Sequence, residues 1–175
     1  MAHAAYVLNT ATPEEEKSKR ARDGLAKELE RSSALGLGAI CFHPGAATDD
    51  DREAAAERVA NAIVHALEHV PRGSTRVLVE NTAGAGRTFA KTAAEVGAIL
   101  RHVPKTLRPR TGYGLDTCHL FSSGYDLGKS ADAIADAARD FGQEDDITVL
   151  TLSRIATAEL RAPEMTPQAL SPSPA

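Results

Sequence analysis

Residues 112–127, GYGLDTCHLFSSGYDL, close a short apolar run on Asp116, Cys118 and His119, next to a glycine-containing loop. Imidazole and carboxylate side by side are metal-ligand chemistry, which the interior of a buried strand has little use for. The same ending recurs upstream: AICF runs into His43-Pro44-Gly45, and RVLV runs into Glu80-Asn81-Thr82-Ala83-Gly84. Three strand-like runs thus end in His43, Glu80 and Asp116, each followed by a turn that contains glycine. His3 lies just ahead of a further extended-looking run, Tyr6-Val7-Leu8. In a parallel barrel, catalytic groups sit at the C-terminal ends of the strands. Histidines and carboxylates converging there suit zinc or manganese. On a regular strand Asp116 and His119 would point to opposite faces, so both serve one site only if the chain turns after Asp116.

Each of these residues also has a plain structural reading. His3 near a terminus is a solvated side chain, His-Pro-Gly is a common turn, and Glu80-Asn81 caps the following helix. Asp116 and His119 then form a structural hydrogen bond. The repetition at three strand ends is what favours a site. His65, His69 and His102 fall on or at the ends of helices and read as surface residues. Arg101, Lys105, Arg108 and Arg110 invite a phosphate-binding reading, but they precede a strand and so lie at the end opposite the site. A solvated linker accounts for them.

The elements that must position these groups alternate. Thr12-Pro13-Glu14-Glu15 starts a helix, with Thr12 as cap, Pro13 in the first turn and Glu15 completing a capping box. It runs to about Leu35 with Ala21, Leu25 and Leu29 on one face, and Gly36 stops it. A strand at 39–42 follows. Asp49 to Asp51 cap a second helix whose buried stripe is Val59, Ile63, Leu67 and Val70, ended by Pro71 and Gly73. A second strand covers 76–79, and a third helix about 88–103 carries Phe89, Ala93, Val96 and Leu100 inward. The linker around Pro104 and Pro109 leads to a third strand, 112–115, ending at Asp116. The crossovers are long enough for parallel pairing, in an α/β arrangement.

The 175 residues are 42% hydrophobic and 25% charged, the balance of one ordinary globular domain. No apolar run approaches the roughly 20 residues needed to span a bilayer, and no signal-peptide core is evident, so a cytoplasmic protein without membrane contact is expected. Cys41 and Cys118 suggest no disulfide framework. The net charge of −4 gives no global attraction to nucleic acid, so DNA binding would need a local basic or metal-lined surface.

HAAYVLN, FHPG, VENTAGAGRT and GLDTCHLFSSGYDL, in this order and spacing, resemble the endonuclease IV family of zinc-dependent abasic-site endonucleases, over roughly residues 3–127. That resemblance implies a (β/α)8 TIM barrel with up to three zinc ions at its C-terminal face. Its substrate would be double-stranded DNA, cleaved at the phosphodiester 5′ to an abasic site to leave a 3′-hydroxyl. Carried over by residue, His3 and His43 are ligands of the first zinc, and Glu80 is the catalytic carboxylate bridging the first and second. Asp116 is a second-zinc ligand, His119 a third-zinc ligand, and Tyr6 stands against the DNA at the lesion. The family also uses a later histidine, an Asp-x-His pair and a late glutamate, whereas this sequence has no histidine after His119. The resemblance therefore implies about half a barrel, beginning at its third strand, with the first zinc site the well-supported one. The alternatives are a non-catalytic zinc-binding barrel remnant or fusion product, and a sugar isomerase or epimerase of similar architecture.

Beyond Leu127, AIADAARDFGQEDDITVLTLSRI at 133–155 resembles the C-terminal end of PP2C-type serine phosphatases of the stage II sporulation class. The expected organisation is a half-barrel at 1–128, a C-terminal helix and strand at 129–156, and a disordered tail at 157–175. An open half-barrel leaves two strand edges. The run Ile147–Leu152 would cover one, and self-association through a second chain would cover the other.

Overall fold

The structure, a computed structural model, describes residues 1–127. The helix, strand and tail expected at 129–175, the phosphatase-like stretch and the run at 147–152 lie outside the described residues.

Four strands pair in parallel in sequence order: β1 (Ala2–His3), β2 (Ala39–Phe42), β3 (Arg76–Glu80) and β4 (Thr111–Gly114). The helices α1 (Glu15–Ala34), α2 (Arg52–His69) and α3 (Ala93–His102) form the crossovers, and the short α4 (Thr117–Ser122) follows β4. This is part of a TIM barrel. Register fixes which side chains share a face: Cys41 is level with His3 on one side and Leu78 on the other, and Glu80 is level with Gly114. Alternation therefore sends Ile40, Phe42, Val77 and Val79 under the helices. His3, Cys41, Leu78 and Glu80 share the other face.

The core lies on the helical side. Leu25 and Leu29 of α1, Val59, Ile63 and Leu67 of α2, and Val96 and Ile99 of α3 are buried against Ile40, Phe42, Val77 and Val79. Each such side chain contributes about 1.5–3 kcal/mol on leaving water, which makes this layer the main support of the sheet. The ends of the helices follow local chemistry. Asp51 caps α2 by accepting the Ala54 amide at 3.0 Å. At the end of α1, Gly36 takes φ +68°, and the amides of Gly36 and Leu37 return to the carbonyls of Ser33 and Ser32. That is a Schellman stop, for which glycine suits the left-handed position.

Four expectations need correction. Tyr6-Val7-Leu8 is a loop, and the first strand is Ala2–His3, so His3 lies on the strand itself. Helix α1 starts at Glu15 with Glu14 as its cap; Thr12 instead accepts the Glu14 amide at 3.3 Å. The third helix begins at Ala93, capped by Thr92, not at 88. Phe89 is buried, but from a loop. The last strand ends at Gly114, and Asp116 is the cap of α4.

Candidate metal centre

Glu80, the last residue of β3, is the hub. Its side chain, about 13% exposed, receives three neighbours: from β1, from β2 and from the residue just past β2. His3 Nε2 stands 3.0 Å from Oε2, His43 Nε2 stands 3.2 Å from Oε1, and the Cys41 thiol donates to Oε2 at 3.3 Å. Burial, and then the adjacent Glu80 charge, push the Cys41 thiol up to about 12. The His3 Nδ1 lies 2.7 Å from the Ala4 carbonyl, which can only accept, so Nδ1 carries the hydrogen and Nε2 faces the carboxylate. His43 Nε2 is buried without hydrogen-bond geometry to any partner.

The second half of the site comes from β4 and α4. Asp116 Oδ1 accepts the His119 amide at 2.9 Å, the N-cap bond of α4. That helical turn brings Asp116 and His119 to one side, as a continuous strand could not. His119 Nδ1 is 3.7 Å from Glu80 Oε1 and 3.8 Å from Asp116 Oδ2. Among the described residues, two sets of side chains have ligand atoms within 4.8 Å of one another: His3, His43 and Glu80, and Glu80, Asp116 and His119. They share one carboxylate.

These residues fit a divalent metal. Two donors held about 2.0–2.1 Å from a tetrahedral zinc would lie roughly 3.3 Å apart, close to the distances of 3.0 and 3.2 Å from Glu80 to the two imidazoles. A cation at this point would also satisfy the orphaned His43 Nε2, which no protein group does.

The loops beside the cluster are bolted to each other. Tyr6 and Val7 are 81% and 84% exposed, yet the base of their loop is fixed. Asn9 Oδ1 accepts the Ala46 amide at 3.0 Å, and Thr10 Oγ1 and the Ala11 amide both reach the Pro44 carbonyl. Gly45, at φ +92°, has no room for a side chain: a Cβ would fall 2.3 Å from Asn9 Oδ1. The loop after β3 is tied down by the Phe89 amide to Gly45 O at 2.8 Å and by Arg52, which donates to Thr88 O and Glu95 and stacks 4.8 Å from the Phe89 ring. Between these loops lies a cleft of about 300 Å³, lined by Tyr6, Val7, Ala46, Ala85, His43 and His119 among others. Tyr6 packs edge-on against His43 at 5.4 Å between centroids.

His3, Tyr6, His43, Glu80, Asp116 and His119 are thus gathered at one rim. The other candidates are not. Arg108 and Arg110 donate to backbone carbonyls of Val103, Arg101, Val70 and Thr75, which makes them loop fasteners. His65, His69 and His102 pair with Asp23, Glu30 and Glu53 on the helices. Sequence reasoning missed Cys41, although its alternation with Ile40 and Phe42 puts it on the site face. It also read Asn81 as a helix cap. Among the described residues no helix is long and apolar enough to cross a membrane.

Residues 1–156 match the family described as Xylose isomerase-like TIM barrel, a span that takes in the phosphatase-like stretch. A probable endonuclease 4 of Chlorobium luteolum is 35% identical over 143 residues, 79% of this chain and 48% of that protein. The crystal structure of endonuclease IV from Thermus thermophilus superposes with a TM-score of 0.65 at 30% identity, covering 80% of this chain and 48% of that one. A D-tagatose 3-epimerase-like protein gives the same TM-score at 15% identity over 79% of this chain and 49% of that one, a likeness of fold alone. The chain spans about half the length of the curated relatives it matches.

Proposed function

The chain belongs to the xylose isomerase-like TIM barrel family, and from that premise we propose that it carries part of a zinc-dependent DNA-repair site that hydrolyses the phosphodiester 5′ to an abasic site. The observation that carries this reading is Glu80, one carboxylate shared by His3 and His43 on one side and by Asp116 and His119 on the other. A shared carboxylate is the arrangement that holds two cations close together for phosphodiester displacement. His3, His43 and Glu80 would hold the first ion, Glu80 and Asp116 the second, and His119 a third. Bound zinc would polarise the phosphate, lower the pKa of water and stabilise the leaving oxygen.

The chain's own residues do the rest. Asp116 is oriented by its cap bond, so its second oxygen stays available. The His3 ring is oriented by Ala4 O, and Cys41 steadies one Glu80 oxygen. Tyr6, exposed on an anchored loop beside the cleft, would stack against DNA at the lesion. The cleft admits a sugar-sized group. The edges of β1 and β4, unpaired among the described residues, make association with a further chain part of this reading.

The test is nicking of an abasic duplex by zinc-reconstituted chain, set beside ketose epimerisation with the same preparation. Cleavage 5′ to the lesion that is lost in Glu80→Gln supports the proposal. Epimerisation without nicking would replace it with a sugar-isomerase reading. Zinc uptake with neither activity would leave a non-catalytic zinc-binding barrel remnant.

A further inference from the structure

Asn81 follows Glu80 directly, is fully buried, and touches both halves of what lies beyond it. Its side-chain amide grips the backbone of Asp116 at two points: Nδ2 donates to Asp116 O at 3.1 Å, and the Asp116 amide donates to Oδ1 at 2.7 Å. Its own amide reaches Gly114 O at 3.4 Å, extending the β3–β4 ladder past the end of the strands. Its carbonyl meets His119 Nδ1 at 2.9 Å. One residue therefore fixes both ends of the Asp116 peptide unit and the ring that follows it. A carboxamide is suited to this task because it offers a donor and an acceptor in one plane, as a peptide group does.

We propose that Asn81 is the positioning residue of the Glu80–Asp116–His119 group: it sets Asp116 beside Glu80 and selects the ligating nitrogen of His119. The Asn81 carbonyl can only accept, so His119 Nδ1 carries the hydrogen. Nδ1 is also the nitrogen measured 3.7 and 3.8 Å from the two carboxylates. Nδ1–H thus lies toward the carboxylates, and Nε2 is left with the lone pair for the separate ion that His119 would hold. Partners of this kind, behind the ligands, typically govern metal affinity by about 10–100-fold. The inference rests on the metal reading of this group, and it replaces the helix-cap reading of Asn81, since the helix that follows, α3, is capped by Thr92.

The experiment compares wild type, Asn81→Ala and Asn81→Asp, with circular dichroism to establish folding. In the metal-free chain, long-range ¹⁵N–¹H NMR reads the His119 tautomer. Wild type should show hydrogen on Nδ1, held by the main-chain carbonyl of residue 81. Asn81→Ala should show a mixture, because without the side-chain grip on Asp116 that carbonyl and the ring are no longer held together. In cobalt titrations, the ion held by His3, His43 and Glu80 should bind alike in all three. The weaker, later ion should lose roughly tenfold or more in Asn81→Ala. Asn81→Asp keeps the acceptor for the Asp116 amide but loses the donor, so it should fall between, and it stands in if Asn81→Ala fails to fold. An unchanged tautomer together with an unchanged second affinity overturns the proposal. A wild type that takes up no cobalt overturns the metal reading instead, and the tautomer comparison then decides by itself whether Asn81 positions His119.

Discussion

His3 Nε2 and Glu80 Oε2 lie 3.0 Å apart although they stand on strands that are not neighbours, β1 and β3 flanking β2 on either side. Two side chains reach across a strand in this way only because His3, Cys41 and Glu80 share the face opposite the helices. An imidazole lone pair aimed at a carboxylate is repulsive. The pair is stable when the imidazole is protonated or when a cation bridges the two. With His43 facing the other Glu80 oxygen, a bridging cation would answer for both histidines at once.

The first prediction follows from that convergence. Metal-replete chain should hold about one zinc tightly through His3, His43 and Glu80. His43→Ala should weaken it by more than roughly 100-fold, since even partners behind the ligands are worth 10–100-fold. Elemental analysis and competition with a chromophoric chelator measure both. Equal zinc in His43→Ala and wild type would remove this site.

Much of this was readable from the sequence, and the unread parts have a common cause. Strands 39–42 and 76–79, the Asp51 cap and the Gly36 stop depend on residues close in sequence, so local pattern reveals them. The stretch 88–92 reads as helix because Phe89, Ala93 and Val96 keep a helical spacing. Ala90, however, sits at φ +67°, and the Phe89 and Thr82 amides are taken by Gly45 O and Ala90 O. Those tertiary bonds outweigh the local preference. His43, Glu80 and Asp116 were visible as residues at or just past strand ends, whereas the hold of Asn81 on Asp116 spans thirty-five residues and has no local signature. Asp116 and His119 come together through one turn of α4, the turn after Asp116 that the sequence set as the condition for a shared site.

The second prediction concerns activity. Hydrolysis that relies on two ions requires both to be fully held, and in this reading only Glu80 and Asp116, among the described residues, serve the second. Nicking of an abasic duplex by the chain alone should therefore run well below about 1 per second, the lower range of ordinary enzymes. Chelation or Glu80→Gln should abolish what remains. A gel-based time course at saturating enzyme reads the rate, and a fast, Glu80-dependent reaction would refute this expectation.

The third prediction uses the two cysteines. Cys118 is exposed, while Cys41 is buried with its thiol raised to about 12. The thiolate is the reactive form, so in metal-free chain at pH 8 an alkylating reagent should modify Cys118 quickly and Cys41 only after denaturation. The sign for stability follows. Between about 9 and 12 the unfolded chain has released this proton and the folded chain still holds it. The contribution of Cys41 is therefore complete below that window and lost as pH rises through it. Mass spectrometry of labelled peptides separates the two sites, and equal labelling rates under native conditions would contradict the burial of Cys41.

The last prediction separates two glycines that share a left-handed backbone. Gly36 lies at φ +68° with no atom within 4 Å of where a Cβ would be, whereas Gly45 lies at φ +92° with Asn9 Oδ1 at 2.3 Å and Asn9 Cα at 2.8 Å. Alanine at Gly36 meets backbone strain alone, about 1–2 kcal/mol. Alanine at Gly45 meets strain and a collision with Asn9, including its Cα, a main-chain atom that cannot swing away. The Asn9–Ala46 bond must then break, and with it the anchor beneath the exposed Tyr6 and Val7. Gly45→Ala should accordingly lower stability by more than Gly36→Ala, by roughly 1–3 kcal/mol further for an overpacked contact. It should also raise hydrogen exchange at the Ala46 and Ala11 amides, which Gly36→Ala leaves protected. Chemical denaturation gives the first comparison and amide exchange the second. If the two variants are equally stable and equally protected, the Gly45 turn does not hold the loop over the cluster, and the exposed Tyr6 is not fixed beside His43.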